Sequence, residues 1–351
     1  MKISNLFRVL VVLAFLLAGC TPAATPAPTD VPVVEEPTDV PVEEPTEVPP
    51  TDAPAAKTYT YKDMVVGFIQ TGSEGGWRAA NTASFKETAT QLGIKLNFYD
   101  AQNKLENQVS AFRNFIADPE VNVIILAALE TTGWEDVLKE AKAAGKIVVL
   151  EDRRIDAPED LYATYIGSDF TEEGRKAGNE MCILLEDSEK KNVVELVGNV
   201  GSSAAKDRGV GFRETMGECG IEIIESQTAN WSSTEGKEVM AAFLKKNPDI
   251  QGVFAQNDEM GLGAALAIKE AGKKPGVDIK ILTVDATAGA FQAMIAGEIN
   301  TVVECNPLLA PQVYEAALKA LNGETLPKWV PSQEGVFYQK DAAELLPTRK
   351  Y

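Results

Sequence analysis

From residue 64 onward, short apolar runs rich in Val and Ile alternate with segments whose apolar residues return every three or four positions. The runs are MVVGFI (64–69), IKLNFY (94–99), VNVIIL (121–126), KIVVLE (146–151) and YATYIG (162–167). Continuous apolar runs of this length fit strands buried on both faces. Between them, residues 77–92, 105–117 and 134–144 carry helical periodicity, and Gly93 and Gly145 stand where a helix end needs a left-handed residue. After a long helix at 171–185 the pattern restarts with NVVELV (192–197), IEIIES (221–226), GVFAQ (252–256) and IKILTV (279–284). Strand–helix–strand repeats predict parallel sheets covered by helices. Two such series predict an α/β chain of two doubly wound parallel-sheet lobes.

The amino terminus departs from this pattern. Lys2 and Arg8 precede an apolar stretch over 9–17, followed by Leu17-Ala18-Gly19-Cys20. The stretch is too short to span a bilayer, and a small-residue cleavage site follows it, so residues 1–20 read as a lipoprotein signal peptide with Cys20 as the acylated residue. That places the mature protein outside the cytoplasm, lipid-anchored on the outer face of the cell membrane. Residues 21–57 hold no aromatic residue and repeat PTDVPV at 28 and 37 and PTEVPP at 45, so they read as a disordered Pro/Thr/Glu stalk.

Composition then narrows the chemistry. A net charge of −19 opposes binding to nucleic acid or anionic lipid. There is no histidine, which removes the commonest general base and metal ligand at neutral pH. No GxGxxG turn or GxxxxGK(S/T) loop follows a strand, so neither a dinucleotide nor a triphosphate has its usual cradle. The chain is therefore expected to hold no cofactor and no metal. Besides Cys20 the cysteines are Cys182, Cys219 and Cys305; Cys182 and Cys219 lie near predicted helix ends, and both pairing and buried thiols remain open.

In open parallel sheets ligands sit outside the carboxyl ends of the strands. Those positions carry Glu74, Trp77 and Arg78, then Asp152-Arg153, Asp207-Arg208, Asn230-Trp231, Asn257-Asp258 and Asp285. Carboxylates, guanidiniums and an amide converging with indoles suit a neutral sugar, because planar polar groups pair with vicinal hydroxyls while an aromatic face covers the C–H side of the ring. Each residue alone has a plainer reading: a strand-end ion pair at Asp152-Arg153, exposed helix charges at Arg78 and Asp207-Arg208, helix packing at Trp77 and Trp134, a helix cap at Asn257. Their recurrence at the same end of successive strands favours a site. Paired carboxylates such as Glu74 and Asp152 are also the equipment of a glycoside hydrolase, but nothing in the sequence tunes either one, and no enzyme activity is expected.

The stretches GSEGGWRAA (72–80), ENQVSAFRNF (106–115), TTGWEDVLKEAK (131–142), EDRRID (151–156), VELVGNVGSSAAKDRGVGF (194–212), GKEVM (236–240) and QNDEMGLGAALAIKEAG (256–272) resemble the ribose-binding-like, type I periplasmic sugar-binding proteins, and within them the galactofuranose-binding branch. The resemblance implies that Trp77 and Trp231 sandwich a sugar, that Asp152, Arg153, Arg208, Asn257 and Asp285 contact it, and that Glu74, Arg78 and Glu304 are further members of the site. It implies two lobes joined by a three-segment hinge: 58–167 with 307–330, and 168–306 with 331–351. The ligand it implies is a monosaccharide, a galactofuranose-like aldose, captured by hinge closure and passed by a monomeric protein to the permease subunits of an ABC importer. A sensor subunit for a membrane receptor would use the same fold.

Overall fold

The protein is described from a computed structural model covering residues 57–73 and 75–351. Cys20, the signal segment, residues 21–56 of the stalk and Glu74 lie outside the described residues.

The first series forms β1 (Val65–Gln70), α1 (Gly76–Leu92), β2 (Lys95–Asp100), α2 (Leu105–Ala117), β3 (Val123–Leu126), α3 (Glu135–Ala143), β4 (Ile147–Glu151) and β5 (Thr164–Gly167). The second forms α4 (Phe170–Leu184), β6 (Asn192–Val197), α5 (Ser203–Met216), β7 (Glu222–Thr228), α6 (Ser233–Lys246), β8 (Gly252–Ala255), α7 (Asp258–Glu270), β9 (Lys280–Asp285), α8 (Ala288–Ile295) and β10 (Thr301–Glu304). The chain ends with α9 (Ala310–Leu321), β11 (Trp329–Pro331), β12 (Val336–Tyr338) and α10 (Ala342–Leu345). Two six-stranded sheets result, ordered β2-β1-β3-β4-β5-β11 and β7-β6-β8-β9-β10-β12. Every pairing is parallel except β10 with β12, which is antiparallel. These two parallel-sheet lobes agree with the two-lobed fold that the resemblance implied. Strands β10 to β12 are not among the runs read from sequence; β11 and β12, at three residues each, are too short to display a period.

Local chemistry sets the element ends. Gly93 closes α1 at φ 73°, a left-handed turn that costs glycine nothing, with its N–H donating to Ala89 and Thr90 carbonyls. In the second lobe Ser202, Ser232, Asn257 and Thr287 cap α5, α6, α7 and α8, each side-chain oxygen accepting a backbone N–H of the first turn. Helices α4 and α5 pack backbone to backbone: a Cβ on Gly211 would come 1.9 Å from the Thr171 carbonyl oxygen. Their contact brings Cys182 beside Cys219, and the two form a disulfide, which settles the question the spacing left open. Cys305 is a buried free thiol.

The backbone passes between the sheets at three places, after β5, after β10 and between β11 and β12. All three meet at one carboxylate oxygen. Glu334 Oε1 accepts from Ser168 Oγ on the first crossing, from the Asn306 N–H at 3.0 Å on the second, and from Ser332 Oγ at 2.7 Å on the third. Burial, and then the nearby Glu173 charge, push the Glu334 carboxyl up to about 8. Cys305 and Glu173 stand within ligand distance of it, and Lys176 donates to its backbone carbonyl.

A raised carboxyl means that the folded state keeps a proton which the unfolded chain has released, so this contribution to stability is whole below the usual carboxyl range and drains away as pH climbs toward about 8. Glu334→Gln cannot titrate. Its unfolding free energy should therefore decline less steeply than the wild type's from pH 5 to 8, by up to about 1.4 kcal/mol per pH unit. Parallel pH profiles in urea melts would refute this assignment.

Candidate functional site

The carboxyl ends of the two sheets face each other across a cavity lined by residues of both lobes. Of the ten residues proposed from sequence, eight line it. Trp77 and Arg78 come from the first turn of α1, Asp152 and Arg153 from the end of β4, Arg208 from α5, and Trp231, Asn257 and Asp285 from the ends of β7, β8 and β9. All eight are between 3% and 7% exposed. Glu74 lies outside the described residues.

Glu304 does not line the cavity. Its carboxylate accepts from Arg349 Nη2 and Tyr351 Oη, each at 2.9 Å, and from the Gly335 N–H at 3.0 Å, so it ties the carboxy-terminal segment to the second crossing. The ligand role expected of it from sequence stays an expectation, since the structure places its carboxylate with these partners. Asn257 keeps its plainer role as well: Oδ1 caps α7 through the Met260 N–H, while Nδ2 donates to the Trp231 carbonyl at 3.4 Å. Trp134 is fully buried and donates to the Glu130 carbonyl, a packing residue of the first lobe.

Each lobe contributes a buried charge assembly. In the first, Arg78 Nη2 donates to Asp152 Oδ2 at 2.5 Å, Arg153 Nε stands 3.6 Å from the same oxygen, and the Arg78 guanidinium lies 4.6 Å from the Trp77 ring centre. Behind them burial, reinforced by the Asp152 charge, pushes the Glu151 carboxyl up to about 8. In the second, Arg208 Nε donates to Glu173 Oε2 at 2.6 Å and Nη1 to the Gln256 carbonyl at 2.7 Å, and Nη2 stands 3.8 Å from Asp285 Oδ1. Burial works against the Arg208 charge, yet Glu173 and its neighbours raise its affinity for the proton above normal. Burial lifts the Asp285 carboxyl well above the usual range, opposed by Arg208.

Sequence reading missed Glu173 because it stands in the first turn of α4 among other acids, where it resembles a solvated helix charge. Glu173, Cys305 and Glu334 are close enough to hold a metal ion. However, Glu173 already neutralises Arg208 and Glu334 Oε1 already gathers three donors, so the cluster reads as hinge hydrogen bonding.

Backbone strain collects at the same place. Asp152, Trp231 and Asp285 have φ of 60°, 62° and 130°, in the region that side chains other than glycine rarely enter, at about 1–3 kcal/mol each. Lobe-to-lobe contacts close the cavity: the Gly76 N–H donates to Glu259 Oε1 at 3.0 Å, the Thr131 N–H to the Gly201 carbonyl at 3.0 Å, the Arg154 N–H to Ser203 Oγ at 3.0 Å, and Arg154 pairs with Asp207. The arrangement can surround a small polyhydroxylated molecule with paired donors and acceptors between two indoles.

A family model described as a periplasmic binding protein domain matches residues 66–325. The chain is 41% identical over 286 residues to the galactofuranose-binding protein of Escherichia coli strain K12, covering 80% of this chain and 89% of that protein. Among solved structures, a protein from Mycobacterium smegmatis in complex with β-D-fucofuranose is 46% identical with a TM-score of 0.80, over 82% of this chain and 95% of that one. The periplasmic binding component of the arabinose ABC transporter from Shewanella sp. ANA-3, bound to α- and β-L-arabinofuranose, is 43% identical with a TM-score of 0.78, over 82% of this chain and 96% of that one.

Removing Glu173 would leave Arg208 buried with its main counter-charge gone. Glu173→Ala is expected to lower the unfolding free energy by about 3–5 kcal/mol, read by urea denaturation at neutral pH. A loss below about 1 kcal/mol would mean the pair carries no such constraint.

Proposed function

Because this chain belongs to the periplasmic binding protein domain family, we propose that it captures a furanose sugar, galactofuranose or a close relative, in the interlobe cavity and delivers it to an ABC importer. It is a binding protein, not an enzyme, as its relatives are. The observation that carries the sugar reading is the composition of the cavity: Asp152, Asp285 and Asn257 line it together with three guanidiniums, and Trp77 and Trp231 come from opposite lobes. Furanose ligands named for the similar galactofuranose, fucofuranose and arabinofuranose binders support the ring form.

In this reading the moving bodies are residues 58–167 with 307–330, and 168–306 with 331–351. The lobes part to admit sugar and close around it. Since a ligand shifts such an equilibrium only by its preference for one state, contacts from both lobes make closure ligand-dependent. The Asp152 assembly serves from one side and the Arg208 assembly from the other. Export and acylation at Cys20 would hold the protein on the outer face of the membrane, with the acidic stalk over 21–57 giving it reach to the permease. The closed protein acts as a monomer.

A thermal-shift titration of the mature chain with L-arabinose, D-galactose, D-fucose, D-ribose and D-fructose tests the ligand class. Sugar at about 100 times its Kd should stabilise the fold by about 2.7 kcal/mol, with the largest shifts from sugars that populate the matching furanose. No shift with any of them would overturn the sugar assignment. Asp152→Ala and Arg208→Ala, each leaving buried partners unsatisfied, should weaken binding of the best sugar by about tenfold or more. Unchanged affinity in both would move the site elsewhere.

A further inference from the structure

The two cavity indoles use their N–H groups differently. Trp77 Nε1 donates to the Cys305 carbonyl at 2.7 Å, so that indole is anchored to the second crossing and offers the cavity only its face. Trp231 Nε1 is buried and has no hydrogen-bond partner among the described residues, although the residue is only 5% exposed.

The Trp231 ring is nevertheless firmly placed. The backbone holds it at φ 62°, and its carbonyl accepts from Asn257 Nδ2. Its six-membered ring lies on the backbone of Gly198, where a Cβ would come 2.1 Å from the indole carbons, so no other residue fits beneath it. The guanidiniums of Arg153 and Arg208 flank it, each 5.7 Å from the ring centre. Neither can accept a hydrogen bond, because guanidinium nitrogens are donors only. Of the described cavity carboxylates, Asp152 accepts from Arg78, and neither it nor Asp285 accepts from the indole. Buried donors are as a rule hydrogen-bonded, and the cavity that Trp231 lines is where an acceptor oxygen can reach this one.

We infer that the Trp231 indole N–H donates a hydrogen bond to an oxygen of the bound sugar, which makes Trp231 a specificity-determining residue as well as a stacking face. The inference rests on the sugar reading above. It predicts discrimination of a kind that stacking cannot supply: a deoxy sugar lacking that one oxygen leaves the N–H unsatisfied and is rejected, whereas a sugar altered elsewhere on the covered face is tolerated.

The test replaces Trp231 by 3-benzothienylalanine, which keeps the bicyclic face and puts sulfur where the N–H was. Calorimetric titration with L-arabinose and D-galactose, whose solutions contain furanose forms, compares it with the wild type. Wild-type binding with affinity weakened about tenfold or more in the isostere supports the donor role. Equal affinity in the two proteins overturns it while leaving the sugar reading intact, and a wild type that binds neither sugar overturns both. Should the isostere fail to fold, indole ¹⁵N–¹H spectra of the wild type decide. Of the four tryptophan signals, the one absent from Trp231→Phe must move downfield and become protected from solvent exchange on saturation with sugar; a signal that stays put overturns the inference.

Discussion

Burying guanidinium groups at the tips of two parallel sheets is the constraint on which the rest of this structure depends. Taking an ion out of water costs several kcal/mol unless well-placed partners compensate it, so Arg78 and Arg208 dictate their surroundings. Arg78 requires Asp152, and Asp152 sits in a left-handed turn at the end of β4 that brings its carboxylate to the guanidinium. Arg208 requires Glu173 on the neighbouring helix and the Gln256 carbonyl at the end of β8, which in turn requires α4 and α5 to touch through their glycines. The charges are thus locked within each lobe, and what they offer the cavity is a fixed array of donors and acceptors that need not reorganise on binding.

The same division keeps each half of the site rigid within its own lobe. The two charge assemblies do not depend on each other, since Arg78 and Asp152 belong to one lobe and Arg208, Glu173 and Asp285 to the other. Opening the cleft parts the Arg153 guanidinium from the Trp231 ring and, among the described residues, breaks rim contacts: Gly76 with Glu259, Thr131 with Gly201, and Arg154 with Ser203 and Asp207. Apart from the Arg154–Asp207 ion pair these are single hydrogen bonds at the edge of the cavity, each worth about 0.5–1.5 kcal/mol net. On the proposed hinge reading, a closed state held by contacts of this kind leaves the ligand to tip the balance. The axis in that reading is the set of crossings tied together at Glu334.

Much of this was legible in the chain because parallel strands buried on both faces advertise themselves as unbroken runs of Val and Ile, and because ligand groups in such sheets follow the strands directly. Asp152, Asn257 and Asp285 are each the first or second residue after such a run. What could not be read lies where partners are remote or elements are short. Glu304 follows a strand too, but its carboxylate belongs to Arg349 and Tyr351, 45 and 47 residues away, which no local pattern discloses. Glu173 looks like surface charge until α5 is laid against it. The pairing of Cys182 with Cys219 depends on the same helix contact.

The central claim is that sugar closes two lobes over a preformed array of charges. Small-angle X-ray scattering of the protein with and without saturating L-arabinose addresses it most directly. The account predicts a larger radius of gyration for the free protein, with contraction on saturation to the compact state described here. Scattering curves that superimpose, in a sample where calorimetry records binding, would contradict it, because the sugar would then be entering a cavity that does not close.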